Sequence, residues 1–433
     1  MSNPSGDENA DATSSEVSDA LLVRAREVDE LPENLISLAP TPDAFTCWLG
    51  SRVEMVGWGS ALRLQFDGAH AIREAARTWD RIAAETRLEV TPLSEQTQDE
   101  VNWPIAVASF GFASHTPGVL LVPEFAAVRI HGERETRNWL VTAGRGDAVP
   151  EPDSVLTATI SPVDTPSGLW TDPGRMTQSK WKEAVGRLVM MLRSGAASKV
   201  VLTRDIMVSA SNPIDERYLA DQLQQRYPTT WVYAVEGLIG ATPEMLASLD
   251  RELFESRVLA GTAAPGAGAE LLDSIKNRTE HHLAVESVAR AVAPLTESMN
   301  VPIEPALLDL PNVTHLSTDV TAIIKDANVL DVVDALHPTA AVCGTPTKLA
   351  FDILEGIEGT QRGRYTGPVG WVDGNGDGEF GIALRCGQLS PDRRSIRVFA
   401  GGGIMPDSNP DLELAETRAK MRPLLEALQV EKP

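Results

Sequence analysis

GPVGWVDGNGDGEFGIALRCGQLSPDRRSIRVFAG, residues 367–401, holds three apolar runs in succession: Gly367–Val372, Glu379–Cys386 and Ser395–Gly401. Gly, Asn, Asp and Pro separate them, and no helical period intervenes. Short runs rich in Val, Ile, Phe and Trp, bounded by turn formers, read as strands. Working outward, the same pattern recurs at Val53–Trp58, Ala61–Phe66, Ile105–Phe112, Val119–Pro123, Ala127–Ile130 and Trp139–Thr142, and again at Ser198–Val208, Trp231–Glu236, Leu246–Leu249 and His315–Ile324. Helices are expected near His70–Arg87, Thr177–Ser194, Asp215–Arg226, Leu271–Leu295 and Thr347–Leu354. Strands arriving in consecutive runs rather than in strict βαβ alternation predict an α+β fold with large antiparallel sheets.

The 433 residues, 42% of them apolar, suffice for a substantial core, and the net charge of −23 opposes nonspecific nucleic-acid binding, which needs a basic surface. Cys47, Cys343 and Cys386 are too widely spaced for a disulfide framework or a thiolate zinc site. No apolar run is long enough for a membrane helix and no signal peptide is read, so the expected setting is cytoplasmic. The triplets beginning at Asn277 and Asn312 are then chance matches to a glycosylation signal. Residues 1–18, MSNPSGDENADATSSEVS, are polar and expected to be disordered. Val149–Pro173, rich in Pro, Asp and Ser, reads as a long connection between two halves. Asp373–Gly378 imitates the start of a calcium loop, but the twelfth position is Leu384 where a bidentate Glu is required, so it reads as a hairpin turn.

Charge recurs at helical spacing in SNPDLELAETRAK, Ser408–Lys420. Ser408 and Asn409 are candidate N-caps, Pro410 suits the first helical position, and Asp411 lies near the positive end of the dipole. Glu413, Glu416, Thr417 and Lys420 then share one face. With Leu412, Ala415 and Ala419 on one flank and Leu414, Met421 and Leu425 on the other, both flanks are expected to pack, carrying two carboxylates and an ammonium into a desolvated place. The plain alternative is a solvated face with i,i+4 ion pairs. Five further features carry possible chemistry. The glycines of Ala400–Ile404 suit a backbone cradle for an anion. Glu280, on a helix of packed apolar positions, is a surface residue or a carboxylate directed at Glu413 and Glu416, a donor set suited to Mg²⁺; the adjacent His281 and His282 read as structural. Lys199 starts an apolar strand and Glu244 heads another. Arg385 is the one charge in an apolar run, which favours anion binding.

Taken together, KVVLTR (Lys199–Arg204), GATPEML (Gly240–Leu246), LAGTA (Leu259–Ala263), NRTEHHL (Asn277–Leu283), HPTAAVCGTP (His337–Pro346), Tyr365–Cys386, FAGGGI (Phe399–Ile404) and the Ser408–Lys420 helix resemble the chorismate-utilising enzymes, and most closely the isochorismate synthases. The motifs span roughly residues 175–428 in unbroken order, with a weaker resemblance over the sheet-rich 19–150. The resemblance implies one enzyme domain over 19–433, a layered sandwich of two antiparallel sheets enclosed by helices. It further implies Mg²⁺ held by Glu280 and Glu416 with Glu413 in the same network. Lys420 would face the ring carboxylate, Thr262 and His315 would line the substrate, and Arg385, Tyr365 and the backbone of Gly401, Gly402 and Gly403 would hold the enolpyruvyl carboxylate. Lys199 would be the general base that activates water, and Glu244 the general acid at the departing hydroxyl.

Ammonia-using relatives generally lack the lysine, and many of them, like salicylate synthases, carry threonine where Ala341 stands. Lys199 with Ala341 and Val342 therefore favours isochorismate as the released product, with a salicylate synthase or a noncatalytic chorismate- or metal-binding scaffold as alternatives. Asn277 stands where relatives often carry a second carboxylate, which predicts a thinner network around the metal. The implied partner is the small molecule chorismate, without nucleic acid, membrane or an obligatory protein partner; menaquinone and siderophore synthesis are both open as the use of the product.

Overall fold

The computed structural model describes residues 20–93, 102–132, 135–146, 148–311, 313–358 and 362–430. The tail expected to be disordered at residues 1–18, and Asn312, lie outside the described residues. Among the described residues the strands form one sheet of 13 and one of 10, with helices packed around them: an α+β layered sandwich, as the consecutive strand runs predict. Pairing is antiparallel apart from Leu21–Val28 alongside Arg87–Thr91.

Strand order separates the two halves of the chain. In the larger sheet Trp170–Pro173, Lys199–Ser209, Ser395–Ile404, Cys386–Leu389, Leu238–Thr242 and Trp231–Val235 lie side by side, followed by Thr46–Leu49, Val53–Trp58, Phe125–His131, Thr136–Arg145, Leu21–Val28 and Arg87–Thr91. In the smaller sheet Thr296–Asn300, Val313–Ile324, Leu253–Ala263, Met245–Asp250, Gly378–Ile382 and Pro368–Val372 precede Ala106–Ser109, Gly118–Val122 and Leu62–Phe66. Each sheet thus has one junction between the halves, Val232 opposite Leu49 in the larger and Val369 opposite Ser109 in the smaller.

Alternation along these strands buries one face of each sheet against the other. Trp48 and Tyr233 of the larger sheet and Phe254, Trp371 and Phe380 of the smaller share one apolar cluster. A second cluster lies where Leu219 and Leu223 of one helix and Met421, Leu424 and Leu425 of another cover Val208, Ile239 and Val398. A fully buried Leu or Phe contributes about 1.5–3 kcal/mol relative to exposure. One carboxylate sits inside the first cluster: Glu379 accepts from the indoles of Trp48 at 3.0 Å and Trp371 at 3.3 Å, which meets the requirement that a buried polar group be paired.

In the second half of the chain, two short connections carry it directly from one sheet to the other. Leu238–Thr242 of the larger sheet passes through Pro243 and Glu244 into Met245–Asp250 of the smaller. Gly378–Ile382 of the smaller passes through Ala383–Arg385 into Cys386–Leu389 of the larger. The sequence predicts a single strand over Glu379–Cys386 with Arg385 inside it. Instead the strand ends at Ile382, and Arg385 adopts a φ of +50°, a left-handed conformation that turns the chain out of one sheet and into the next.

Three other expectations are corrected. The helix expected over Leu271–Leu295 divides into Gly268–Asp273 and Ile275–Val292, because Ser274 is extended and its Oγ caps the second helix by accepting from Asn277 N at 3.3 Å. The connection over Val149–Pro173 contains a short helix, Ser154–Thr157, and ends in the edge strand Trp170–Pro173. The C-terminal helix, Pro410–Ala427, is capped by Asn409, whose side chain accepts from Asp411 N and Leu412 N, with Pro410 in its first turn. Only its Leu414, Met421 and Leu425 flank is buried; Leu412 is 71% exposed, so the helix is packed on one flank rather than both. Asp373–Gly378 is a hairpin turn: the Asp373 carboxylate accepts from the N–H groups of Asn102, Asn375 and Asp377. No helix among the described residues is long and apolar enough to cross a membrane.

Candidate active site

Between the strand ends and the C-terminal helix lies a small cavity of about 70 Å³. Lys199, from the start of its strand, and Glu244, from the first sheet crossing, both line it. So do Thr262, Glu280, His315, Ala341, Val342, Tyr365, Arg385, Gly401, Gly402, Gly403 and Lys420. Sequence positions 199 to 420 are thereby brought around one space. Glu413 and Glu416 stand behind the glycines, and His281 does not take part. Its Nδ1 is 3.1 Å from Ala260 O and its Nε2 2.7 Å from Thr318 Oγ1, a structural histidine joining helix to sheet.

Three lysines each meet one carboxylate. Lys199, only 1% exposed, places Nζ 3.0 Å from Glu280 Oε1. Lys420 reaches Glu416 Oε1 at 2.5 Å, the i,i+4 pair the sequence allows, and also donates to Gly401 O at 3.1 Å. Lys276 Nζ lies 3.2 Å from Glu413 Oε1, which also accepts from Ser408 Oγ at 2.6 Å. Burial and the neighbouring Glu416 raise the Glu413 pKa, against the opposing pull of Lys276 and Ser408. Ser408 therefore serves Glu413 and Met405 N rather than capping the helix.

All three carboxylates converge on the Gly402–Gly403 backbone. A Cβ on Gly403 would stand 2.2 Å from Glu280 Oε1 and 2.7 Å from Lys199 Cε, and one on Gly402 3.3 Å from Glu413 Oε2 and 3.8 Å from Glu416 Oε1. The strand can pass this close only without side chains. Among the described residues no three His, Cys, Asp or Glu side chains by themselves form a metal-holding group, since each of these carboxylates is drawn to its own lysine. Mg²⁺ asks less of a protein, using one or two carboxylates with waters and substrate oxygens, so the pair Glu280 and Glu416 beside an unobstructed glycine backbone fits that ion.

On the opposite wall, Arg385 Nη2 lies 2.9 Å from His315 Nε2, and His315 Nδ1 lies 3.1 Å from Thr262 Oγ1. A guanidinium only donates, so Nε2 must be the unprotonated nitrogen and the ring is neutral with its proton on Nδ1. Burial, then Arg385 and Lys420, hold the His315 pKa well below the usual value, in agreement. The Nδ1–H is then available to donate to Thr262 Oγ1, freeing the threonine hydroxyl proton for the cavity. Tyr365 stacks on Phe399 with centroids 5.0 Å apart. A Cβ on Gly401 would lie 3.4 Å from the Tyr365 hydroxyl oxygen, which places that hydroxyl against the glycine strand. Burial lifts the Glu244 carboxyl to about 7, despite the opposing pull of Lys199, the Leu259 N–H, Lys420 and Arg385. Glu244 is thus a carboxyl that carries a proton close to neutrality inside a cationic cavity.

Several lining residues fall outside the sequence-derived set, among them Val201, Pro243, Leu259, Thr366, Leu384 and Phe399. Each lies within a quoted motif, but which of a strand's faces meets the cavity depends on register. Lys276 was equally unmarked; its place four residues before Glu280 on one helix is the signal that could have found it.

The family model described as chorismate binding enzyme matches residues 40–429. The isochorismate synthase DhbC of Bacillus subtilis is 35% identical over 272 residues, covering 58% of this chain and 68% of that protein. The isochorismate synthase EntC of Escherichia coli is 32% identical over 342 residues, covering 74% of this chain and 80% of its own. The solved structure of MenF, the menaquinone-specific isochorismate synthase of Escherichia coli, superposes with a TM-score of 0.75 over 96% of this chain and 97% of that one; at 21% identity it speaks for the fold.

Proposed function

The chain belongs to the chorismate-binding enzyme family, and from that premise we propose that it is an isochorismate synthase, an isomerase that converts chorismate to isochorismate. The observation that carries the reading is the presence of a buried lysine, Lys199, and a buried protonatable carboxyl, Glu244, in one cavity whose other wall is cationic. Chorismate brings two carboxylates. Arg385, Tyr365 and the N–H groups of Gly401–Gly403 hold one of them, and Lys420 faces the other. Thr262, oriented by His315, offers its hydroxyl to the ring, and Ala341 with Val342 forms the apolar wall.

Lys199 acts as general base: it takes a proton from a water whose oxygen bonds to C2 of the ring. The ring double bond shifts, the C4–oxygen bond breaks, and Glu244 gives its proton to the departing hydroxyl, which leaves as water. One water enters and one leaves, so product and substrate are isomers. Glu280 and Glu416 would hold Mg²⁺, with Glu413 behind them, and the bound ion supplies positive charge for a substrate carboxylate. The catalytic unit spans residues 19–433, a reading supported by strands of both halves sharing both sheets, and the free thiols of Cys47, Cys343 and Cys386 suit a cytoplasmic setting. The water reaction needs no partner protein.

The test is to incubate the purified protein with chorismate and Mg²⁺ and resolve the products. Isochorismate is expected. Salicylate with pyruvate would reassign the chain to the salicylate synthases, and anthranilate formed with ammonium would move it to the ammonia-using branch.

A further inference from the structure

We propose that the buried ion pair Glu358–Arg362, which touches no substrate, is the positioning unit that holds the Lys199 strand against the Val342 and Thr366 walls of the cavity. The inference rests on the isochorismate synthase reading of that cavity.

The strand Lys199–Ser209 has an incomplete edge. On one side Val200–Ser209 pair with Ser395–Ile404. On the other, Lys199 and Val200 pair with Thr345 and Gly344, and Ile206–Ser209 pair with Trp170–Pro173. Between Val201 and Asp205 no strand among the described residues lies alongside, although this stretch is buried. Unpaired backbone groups in such a place are costly, so something else must serve them.

The ion pair does so. Arg362 Nη2 donates to Val201 O at 2.6 Å, and Glu358 Oε1 accepts from Thr203 N at 2.9 Å and Thr203 Oγ1 at 3.0 Å. Val201 N, on the same edge, donates to Cys343 O at 2.9 Å. Arg362, 4% exposed, spends its other donors as fully: Nη1 goes to Val342 O at 2.7 Å and Thr366 Oγ1 at 3.4 Å, while Nε and Nη2 grip the Glu358 carboxylate at 3.0 and 2.7 Å. All five N–H groups of the guanidinium thus have acceptors. Its carbon lies 4.1 Å from the centroid of the Phe112 ring, which covers its face. Ion pair and ring together form a planar brace with no spare donor.

What the brace joins is the point. Val201, Val342 and Thr366 all line the cavity, whereas Glu358 and Arg362 do not. Val201 lies two residues from Lys199 on the same face of its strand. Val342 follows Ala341, and Thr366 follows Tyr365 and has a φ of +63°. One guanidinium therefore sets the spacing between the strand of the base and the two walls that face the substrate. A lysine in its place keeps the charge but has three donors on a flexible stem, so it cannot hold three oxygens in one plane. Displacement of a catalytic group by 1 Å lowers rate by about 100-fold while binding contacts persist.

The experiment compares wild type with Arg362→Lys and Glu358→Gln, and with Thr203→Val, which removes only a hydroxyl of the brace. Isochorismate formation by the wild type tests the function itself; if it fails, that reading falls and the brace is not at issue. With an active wild type, folded Arg362→Lys and Glu358→Gln are expected to lose kcat on the order of 10- to 100-fold while the calorimetric Kd for chorismate changes less than about threefold. Thr203→Val, the mildest change, is expected to lower kcat measurably with unchanged Kd, and carries the test if the charged variants do not fold. A folded Arg362→Lys, Glu358→Gln or, failing both, Thr203→Val with wild-type kcat overturns the proposal. So does a rate loss that only tracks the folded fraction, which would make the pair a stabilising element.

Discussion

Replacing Glu244 by glutamine separates two consequences of one buried carboxyl. Burial lifts this group from 4.5 to about 7, so the folded state holds its proton while the unfolded chain has already released it. The sign follows from proton counting: between these values the folded state binds more protons, so stability falls as pH rises. The penalty is absent below the unfolded value, grows between 4.5 and about 7, and is complete above. At about 1.36 kcal/mol per pH unit it amounts to about 3 kcal/mol. Glutamine cannot ionise, so Glu244→Gln should gain up to about 3 kcal/mol on the wild type between pH 5 and pH 8, measured by urea unfolding of both proteins at each pH. Whatever fixed difference glutamine brings is common to all pH values and drops out. The same variant should lose at least about 100-fold in kcat, and wild-type kcat/KM should decline as pH rises through about 7, where the acid of the free enzyme loses its proton. A stability gap that does not change with pH would refute the buried-proton argument, and retained turnover in the variant would refute the acid role.

Lys199→Gln should lower kcat by about 10²–10⁴-fold with chorismate binding largely intact by calorimetry, because the base is lost while the carboxylate-binding wall remains. Gly403→Ala drives a Cβ to within 2.2 Å of Glu280 Oε1, so its affinity for Mg²⁺, followed by titration calorimetry, should fall at least about tenfold. Far from the cavity, Arg137 holds Glu27 by two bonds of 2.6 Å in a buried pair; Arg137→Ala should cost about 3–5 kcal/mol in urea unfolding and leave kcat of the folded enzyme unchanged.

Local pattern carried far. Val53–Trp58 was legible to the residue, and the helices expected from Thr177 and Asp215 begin one residue later, with those two residues as their N-caps. Leu253–Ala263 escaped because Glu255, Ser256 and Arg257 interrupt its alternation, and Leu21–Val28 because two arginines and a glutamate sit in it. At the site, residues on a helical stripe could be grouped by spacing, and motif resemblance gathered Lys199, Glu244, Arg385 and the glycines. Sheet membership could not be read. Glu244 and Arg385 lie where the chain changes sheets, and a stretch such as Gly378–Leu389 looks the same in sequence whether it is one strand or two. The matching of lysines to carboxylates was equally hidden, because Lys276 and Glu413 meet only after the first turns of two helices far apart in sequence are brought together.

The single junction in each sheet assigns the two halves unequal duties. Among the described residues, every one lining the cavity comes from position 199 onward, and none belongs to the first half. Without that half, Trp231–Val235 and Pro368–Val372 would end the two sheets as bare, apolar rims, the kind that fuse with any neighbouring strand. The first half is therefore a seal. Thr46–Leu49 and Ala106–Ser109 are the strands that close those two rims.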